Sequence, residues 1–191
     1  MQTIVEVGAA EQTINKSKFL AWVSHCQSEQ EAGAFLRAVA TKNQNAHHLA
    51  YAFRIKSADG IVPRFSDAGE PSGTAGMPIL QMLEGRDLVN VCVGVIRYYG
   101  GVNLGKGGLV RAYGGTAKLA IEATEMVDYV EMDELALTVD YKRVDELTRI
   151  VTQLKGTIID KSFDAAVNVK IRLPALEKQT LIDRFSTNYG Q

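Results

Sequence analysis

The chain has 191 residues, of which 46% are hydrophobic and 23% are charged, and its formal net charge is −1 at pH 7. This length predicts one large domain or two small ones, and the apolar content is sufficient for a buried core. The near-neutral charge excludes a uniformly basic nucleic-acid coat, so a nucleic-acid surface would have to be a local patch.

Two further classes of protein are excluded by the composition. Cys26 and Cys92 are too few for a disulfide framework, and Cys92 lies in an apolar stretch, which predicts a buried free thiol. No segment is long and apolar enough for a signal peptide or a membrane span. We therefore expect a cytoplasmic protein without a membrane partner.

The first part of the chain predicts paired strands and helices. The patterns indicate, in order, a strand over residues 3–7 with its partner over 18–24, a helix from 28 to about 42, a strand over 47–55, a hairpin return over 61–65 and a helix over 77–84. Ser28 and Glu31 have the spacing of a capping box, which marks the start of the first helix. His47 and His48 point to opposite faces of a strand, and no cysteine or further histidine cluster accompanies them, so we predict no metal site.

The loop over residues 66–76 concentrates acids, hydroxyls and glycines directly before a predicted helix. Asp67, Glu70 and Ser72 are its weak catalytic candidates. With His47 or His48, Asp67 and Ser72 would complete a Ser-His-Asp set, although the Gly-x-Ser-x-Gly elbow is absent. The competing interpretation is that these side chains cap helix ends and brace a neighbouring loop.

Residues 91–119 carry the strongest signal in the chain. A strand that is apolar on both faces is followed by a turn dense in glycine and by a helix predicted from Gly108 to about residues 126–128. No Asp or Glu lies between Leu88 and Ile121, whereas four cations do. Free backbone N–H groups, the helix dipole and these cations together predict an anion or nucleic-acid site. Its candidate residues are Arg97, Tyr98, Tyr99, Gly100, Gly101, Gly105, Lys106, Gly107, Gly108 and Arg111.

Two alternatives stay open for this stretch. The glycines can serve close packing of helix and strand, with cations that only solvate the surface, and Tyr98 and Tyr99 can either stack on bases or belong to the core. Two nucleotide motifs fail. A P-loop requires Ser or Thr at the position of Gly107. The dinucleotide-binding pattern G-x-G-x-x-G requires glycine at the position of Val110.

Two motifs carry a family resemblance. RYYGGVNLGKGGLVRAYGG, at residues 97–115, and FSDAGEPSGTAGMPIL, at residues 65–80, resemble the hallmarks of the IMPACT family, whose bacterial members are the YigZ-like proteins. The resemblance extends over the whole chain and implies a cytosolic α+β protein of two domains, residues 1–129 and 130–191. The first is similar to the second domain of a small-subunit ribosomal protein, a fold also used in elongation factor G. The second is ferredoxin-like, similar to the C-terminal domain of elongation factor G.

The resemblance also implies a functional context. Eukaryotic relatives are linked to the control of translation through the general amino-acid-control kinase pathway, and neither an established enzymatic activity nor a cofactor comes with the family. One departure is visible, because Ala68 stands where the family usually has a second acid.

The last third of the chain predicts a second, smaller unit after a polar linker near residues 129–134. The patterns indicate a strand over residues 135–139, a helix over 141–154 with Gly156 as its C-cap, strands over 157–163 and 166–173, and a helix from Pro174 whose apolar positions are Leu176, Leu181, Ile182 and Phe185. The order β-α-β-β-α predicts a ferredoxin-like unit whose last strand is missing or short. The resulting sheet edge could dock another chain.

The leading hypothesis is a non-enzymatic regulator of translation that binds RNA or the ribosome through the basic glycine-rich loop. Lys106, Arg111 and Arg97 would contact phosphates, and Tyr98 or Tyr99 could stack on a base. One alternative is an enzyme of unknown reaction with its site between residues 67–74 and 100–108. Another is a protein–protein regulator that acts through its C-terminal domain. None of these hypotheses calls for a metal or a cofactor.

Overall fold

A computed structural model describes residues 1–186 of the chain, which divides into two compact units, Met1–Tyr129 and Val130–Gln191. The elements of the first unit are, in order, β1 (Gln2–Ile4), β2 (Gly8–Ile14), β3 (Ser17–His25), α1 (Glu29–Lys42), β4 (His48–Ser57), β5 (Gly60–Ser66), α2 (Gly76–Glu84), β6 (Val91–Tyr98), α3 (Gly105–Glu122) and β7 (Met126–Asp128). Those of the second are β8 (Met132–Val139), α4 (Val144–Gln153), β9 (Thr157–Phe163), β10 (Val167–Pro174) and α5 (Lys178–Ser186).

The first unit is built on an antiparallel five-stranded sheet with the order β2-β3-β6-β4-β5. Strand β6 is central, and all of its residues except Tyr98 are buried, as its two-faced apolar sequence predicts. Val91, Val93 and Val95 belong to the main core beneath α2 and α3. Cys92 packs on the opposite face in a smaller core with residues of α1. Both faces of the central strand are therefore covered by helices.

The N-terminal strands pair differently from the expectation. β1 pairs with β7, and β3 pairs with β2 and β6, so the predicted pairing of residues 3–7 with 18–24 is wrong. Strand β2 has no strong sequence signal because it is an edge strand of small and polar residues, GAAEQTI, in which Gly8 is buried and every second residue after it is only half-buried. The bounds of β2 are instead set by its antiparallel pairing with β3, from Gly8 opposite Val23 to Ile14 opposite Ser17.

Helix α3 also has different bounds from those predicted. It begins at Gly105, so Gly107 and Gly108 lie inside its first turn, and it ends at Glu122, before β7. Glycine lowers intrinsic helix propensity, but Leu109, Ala112 and Tyr113 bury the inner face of this helix in the main core. Packing of that face therefore outweighs the cost of the glycines.

The second unit has an antiparallel three-stranded sheet with the order β8-β10-β9. Helices α4 and α5 cover one face, where Leu147, Val151 and Leu181 pack against Val169 and other inward side chains of β10. This order and the β-α-β-β-α succession are those of a ferredoxin-like unit. The prediction of a missing or short last strand concerns residues 187–191, which lie outside the described residues.

Two local predictions in the second unit are wrong. The left-handed residue after α4 is Lys155, at φ 58°, and its N–H and that of Gly156 close the helix on Thr152 and Val151 in a Schellman motif. Gly156 instead permits close packing, since a Cβ there would lie 2.9 Å from that of Leu173. Leu176 is 94% exposed, in a short 3₁₀ turn ahead of α5, and is not part of the buried stripe.

None of the helices within residues 1–186 is both long enough and apolar enough to cross a bilayer. The same residues bring together no group of three or more His, Cys, Asp or Glu side chains that could hold a metal ion.

Candidate functional site

Asp67 holds the loop over residues 66–76 against the start of α2. Its carboxylate accepts hydrogen bonds from the N–H groups of Gly73 (2.8 Å), Ala75 (3.0 Å) and Gly76 (2.8 Å). Burial raises the pKa of Asp67, but the three N–H donors outweigh that effect and hold the pKa below its ordinary value. The side chain is thus an anionic cap for α2, whose N-cap residue, Ala75, provides none.

Glu70 is the acceptor at the centre of a buried polar network. Nη1 of Arg97 donates to both of its carboxylate oxygens, at 2.9 and 3.2 Å, and the hydroxyl of Tyr113 donates to one of them at 2.7 Å. Burial, together with the hydrogen bond to Glu70, raises the pKa of Tyr113 far above its ordinary value, so this hydroxyl stays protonated and donates. The network joins the 66–76 loop to β6 and α3.

Besides Glu70, Arg97 contacts Ser17 and two aromatic rings. Its Nη2 donates to Oγ of Ser17 at 3.4 Å, and the same oxygen accepts the N–H of Gly100 at 3.2 Å. The guanidinium carbon lies 5.7 Å from the ring centroid of Phe19 and 5.1 Å from that of Tyr99. Nε of Arg97 is buried without a hydrogen-bond partner among the described residues.

The position of Arg97 corrects its expected role as a phosphate contact. The residue is only 5% exposed, and its charge is already paired with Glu70. A phosphate could reach it only by displacing a buried carboxylate. The sequence could not reveal this, because Arg97 and Glu70 lie 27 residues apart and meet only when the loop folds over the end of β6.

The adjacent tyrosines point to different environments. Tyr98 is half-buried and donates from its hydroxyl to Oδ1 of Asn43, at the C-terminal end of α1 (3.1 Å). Tyr99 is 42% exposed, and its hydroxyl donates to Oδ1 of Asn103 at 3.1 Å. Tyr98 therefore belongs to the packing of α1, whereas Tyr99 lies at the surface of the glycine-rich loop.

The loop requires glycine for two reasons, lack of space for a side chain and left-handed backbone dihedral angles. A Cβ at Gly100 would lie 2.0 Å from the carbonyl oxygen of Lys16, in the turn between β2 and β3. Only glycine therefore fits at position 100. Gly101 and Gly105 adopt φ values of 80° and 69°, in the left-handed region that favours glycine. The loop is thus tight, and Gly100 is pressed against the β2–β3 turn.

The first turn of α3 is electropositive and lacks a side-chain cap. Its N-cap residue, Leu104, provides no hydrogen-bonding side chain, and the turn contains no acidic residue. Lys106 is exposed in this turn, and a Cβ at Gly107 would lie 3.5 Å from Nη1 of Arg111, so that guanidinium lies over the same turn. Within residues 1–186, neither Lys106 nor Arg111 forms an ion pair.

The side chains of the postulated Ser-His-Asp set contact other groups rather than one another. Nδ1 of His48 lies 2.9 Å from the carbonyl oxygen of Ala68, and its Nε2 lies 3.9 Å from Oε1 of Glu70. Nδ1 of His47 accepts the N–H of Tyr99 at 3.3 Å, while Asp67 is occupied by backbone donors. Ser72 is exposed in the loop. The geometry brings Glu70 to Arg97 but does not assemble a triad.

Two participants in this region were not identified from the sequence, because Ser17 has no motif around it and Tyr113 matched an apolar helix position. His48 was a candidate partner of the 66–76 loop, but its contact there is with the carbonyl oxygen of Ala68. Only the hydroxyl of Tyr113, at an otherwise apolar inner position of α3, offered a signal, because a buried phenol requires a hydrogen-bond partner.

Both motifs lie within the part of the chain that a known family model matches. The family model of the Impact N-terminal domain matches residues 15–121. An IMPACT family member of Haemophilus influenzae is 36% identical over 178 residues, which cover 93% of this chain and 84% of that protein. A Saccharomyces cerevisiae protein, named Protein IMPACT homolog, is 36% identical over 92 residues, which cover 47% of this chain and 35% of that protein.

The fold has a solved counterpart. A crystal structure described as that of a hypothetical protein superposes with a TM-score of 0.73 at 30% sequence identity, and the match covers 97% of this chain and 90% of that one. The expected α+β fold of the chain is thereby confirmed.

Proposed function

The chain belongs to the IMPACT family, and we propose that it is a non-enzymatic regulator of translation that binds RNA, free or on the ribosome, through the basic surface at the start of α3. We define this basic surface as Tyr99, Asn103, Lys106 and Arg111. The translational context comes from the family resemblance and implies a cytoplasmic site of action. The choice of ligand comes from the electrostatics of α3.

One observation carries the proposal: positive charge is concentrated at a helix end that is already positive. The N-terminus of a helix has free N–H groups and the positive end of the macrodipole, so acidic residues and polar caps normally stabilise it. Here the first turn has no acid and no side-chain cap, and it has Lys106 and the guanidinium of Arg111 instead. An arrangement that is unfavourable in the free protein becomes favourable when an anion such as a phosphate binds.

The buried network keeps this surface in place. Glu70 neutralises Arg97 at the end of β6 and accepts the hydroxyl of Tyr113 on α3, so the loop between strand and helix is held at both ends. Asp67 fixes the 66–76 loop that provides Glu70. These acids therefore support the interaction surface by bracing it. That role accounts for them without assigning a reaction to the site.

The proposed contact set predicts weak, salt-dependent binding. For single-stranded nucleic acid, the logarithm of the binding constant falls with the logarithm of salt concentration with a slope of about −0.7 per phosphate contact. With Lys106 and Arg111 as two contacts, an increase from 50 to 200 mM salt would weaken binding about sevenfold. High affinity on the ribosome would require additional contacts from elsewhere in the chain.

The test is co-sedimentation with ribosomes and with total RNA at low and at moderate salt. The Lys106→Ala/Arg111→Ala variant should lose most of the salt-sensitive binding. A matched control is Lys142→Ala/Arg149→Ala, which removes one exposed lysine and one exposed arginine from the second unit. Equal losses in both variants, or no binding of the natural chain at low salt, would contradict the proposal.

A second candidate function is protein binding by the second unit. Its edge strand β9 exposes two large apolar side chains, Ile159 at 45% and Phe163 at 64%, beside the unpaired backbone groups of the sheet edge. A partner captured by the intact chain that resists nuclease treatment and is lost in an Ile159→Ser/Phe163→Ser variant would support this function. If nuclease treatment abolishes capture of the partner, the interaction depends on nucleic acid, which would favour the basic surface over β9.

A further inference from the structure

The ring of Tyr99 is fixed at several points although it lies at the surface. Its hydroxyl donates to Oδ1 of Asn103 (3.1 Å), its backbone N–H donates to Nδ1 of His47 (3.3 Å), and the guanidinium of Arg97 lies 5.1 Å from the ring centroid. The residue is nevertheless 42% exposed. One face of the ring therefore rests on a cation, and part of the ring remains open to solvent.

The support beneath the ring is itself rigid. Arg97 is held by Glu70 and by Ser17 and is nearly closed to solvent. Gly100, the residue after Tyr99, is pressed against the carbonyl of Lys16, so the backbone next to the ring is held in place as well. An exposed ring on such a base loses little conformational entropy when a ligand packs on it, which is the requirement for a preorganised contact.

The charge around the ring selects the kind of ligand. A cation already occupies one face through a cation–π contact, and Lys106 follows Asn103 by three residues in the first turn of α3. A second cation would be repelled by this surface. A planar, uncharged ring attached to an anionic backbone would stack on the open face and bring its phosphate towards Lys106.

We propose that Tyr99 is a stacking platform for an unpaired nucleobase, so that the RNA bound by the basic surface is single-stranded at this point. The inference rests on the proposed function and specifies its ligand. Bases within a duplex are stacked on one another, and a protein ring reaches a base face only in single strands, loops, bulges and ends. Tyr99 would thus discriminate between nucleic-acid structures, while Lys106 and Arg111 supply attraction that is independent of the bases.

The experiment measures fluorescence anisotropy with three labelled probes in low salt: a single-stranded RNA oligonucleotide, the same sequence as a duplex, and inorganic polyphosphate. The natural chain should bind the single strand more tightly than the duplex. Tyr99→Ala should weaken binding of the single strand about 5- to 150-fold, the range observed for loss of one stacked base, and should leave polyphosphate binding within about twofold.

Matched variants separate stacking from a folding defect. Tyr99→Phe retains the ring and loses the hydrogen bond to Asn103, so it should keep most of the affinity for the single strand. Tyr141→Ala removes an exposed tyrosine of the second unit whose hydroxyl also donates a hydrogen bond, to the carbonyl oxygen of Asp164, and it should leave binding of all three probes unchanged. If Tyr99→Ala weakens polyphosphate as much as RNA, or if Tyr99→Phe is as defective as Tyr99→Ala, the role of Tyr99 is structural and the inference is overturned.

The remaining outcomes distinguish this inference from the proposed function. If Tyr99→Ala binds the single strand like the natural chain, or if the duplex binds as well as the single strand, the platform is wrong. The proposed function then still stands, provided that Lys106→Ala/Arg111→Ala weakens all three probes. If the natural chain binds none of the probes at low salt, the proposed function fails, and the platform fails with it.

Discussion

Glu70 and Arg97 form a buried ion pair, in which Nη1 of the arginine lies 2.9 and 3.2 Å from the two carboxylate oxygens. The pair joins the two motifs that mark this family, one in the 66–76 loop and one at the end of β6. Tyr113 on α3 completes it with a hydrogen bond of 2.7 Å to the carboxylate. One carboxylate therefore links the loop, the strand and the helix.

Glu70→Ala should destabilise the protein by about 3–5 kcal/mol, because it leaves the charge of Arg97 buried without a partner. Urea unfolding at neutral pH would measure the loss. In a double-mutant cycle with Arg97→Ala, the double variant should be less unstable than the sum of the two single variants predicts, since the second substitution removes the unpaired charge. Additive losses would show that the two groups are not coupled.

Asp67→Asn should destabilise the protein by about 0.5–2 kcal/mol at neutral pH, the usual contribution of a helix cap. The pKa of Asp67 is lowered in the folded state, so its contribution is complete above the unfolded pKa, about 3.9. It is lost as the pH falls through the folded pKa. Chemical unfolding at pH 7, 5 and 3 should therefore show the difference between natural chain and variant shrinking only at the lowest pH. A difference that is constant with pH would contradict the anionic cap.

Lys106→Glu should raise the stability of the free protein by about 0.3–1 kcal/mol and at the same time weaken RNA binding. The substitution replaces a cation by an anion at the positive end of α3, which is favourable for the helix and unfavourable for a phosphate. Thermal unfolding and anisotropy measure the two effects on the same preparation. Lys118→Glu is the opposite control, since Lys118 lies near the C-terminal end of α3, 3.8 Å from Glu122, and its replacement should be destabilising. Lower stability of Lys106→Glu would refute the electrostatic argument.

Gly100→Ala should destabilise the first unit by more than the ordinary cost of a surface substitution. The added Cβ would meet backbone atoms of Lys16 at 2.0 and 2.1 Å, and backbone cannot rotate away as a side chain can. Gly33→Ala in the middle of α1 is the control. Its Cβ would meet only the mobile end of Arg37 at 3.3 Å, so it should stabilise by about 0.5–1 kcal/mol. Equal effects of the two variants in urea unfolding would contradict the close packing at Gly100.

Lys155→Gly should stabilise the second unit by about 1 kcal/mol, because Lys155 occupies the left-handed position of the Schellman motif at φ 58°. Gly156→Ala should do the reverse, since its Cβ would lie 2.9 Å from the Cβ of Leu173. Thermal unfolding of both variants tests this assignment. A stabilising Gly156→Ala would contradict the close packing against Leu173, and a destabilising Lys155→Gly would contradict the assignment of Lys155 to the left-handed position.

The amino-acid sequence by itself determined the elements that depend on local periodicity and capping. The apolar run of β6 predicted its burial on both faces, and the spacing of Ser28 and Glu31 predicted the start of α1, where Glu31 N–H donates to Oγ of Ser28. The two motifs also identified the family. Such features are readable because each depends on residues within a few positions of one another.

Tertiary structure decided what depends on distant partners. Edge strand β2 exists because β3 pairs with it, and α3 includes two glycines because the rest of its inner face is buried. Arg97 was predicted to meet a phosphate, yet it lies buried against Glu70, while Tyr99 beside it remains exposed. Sequence supplied the positive charges of this region, but only the folding of the 66–76 loop over β6 determined that Arg97 is neutralised by Glu70. An ion pair requires spatial proximity that local sequence does not encode.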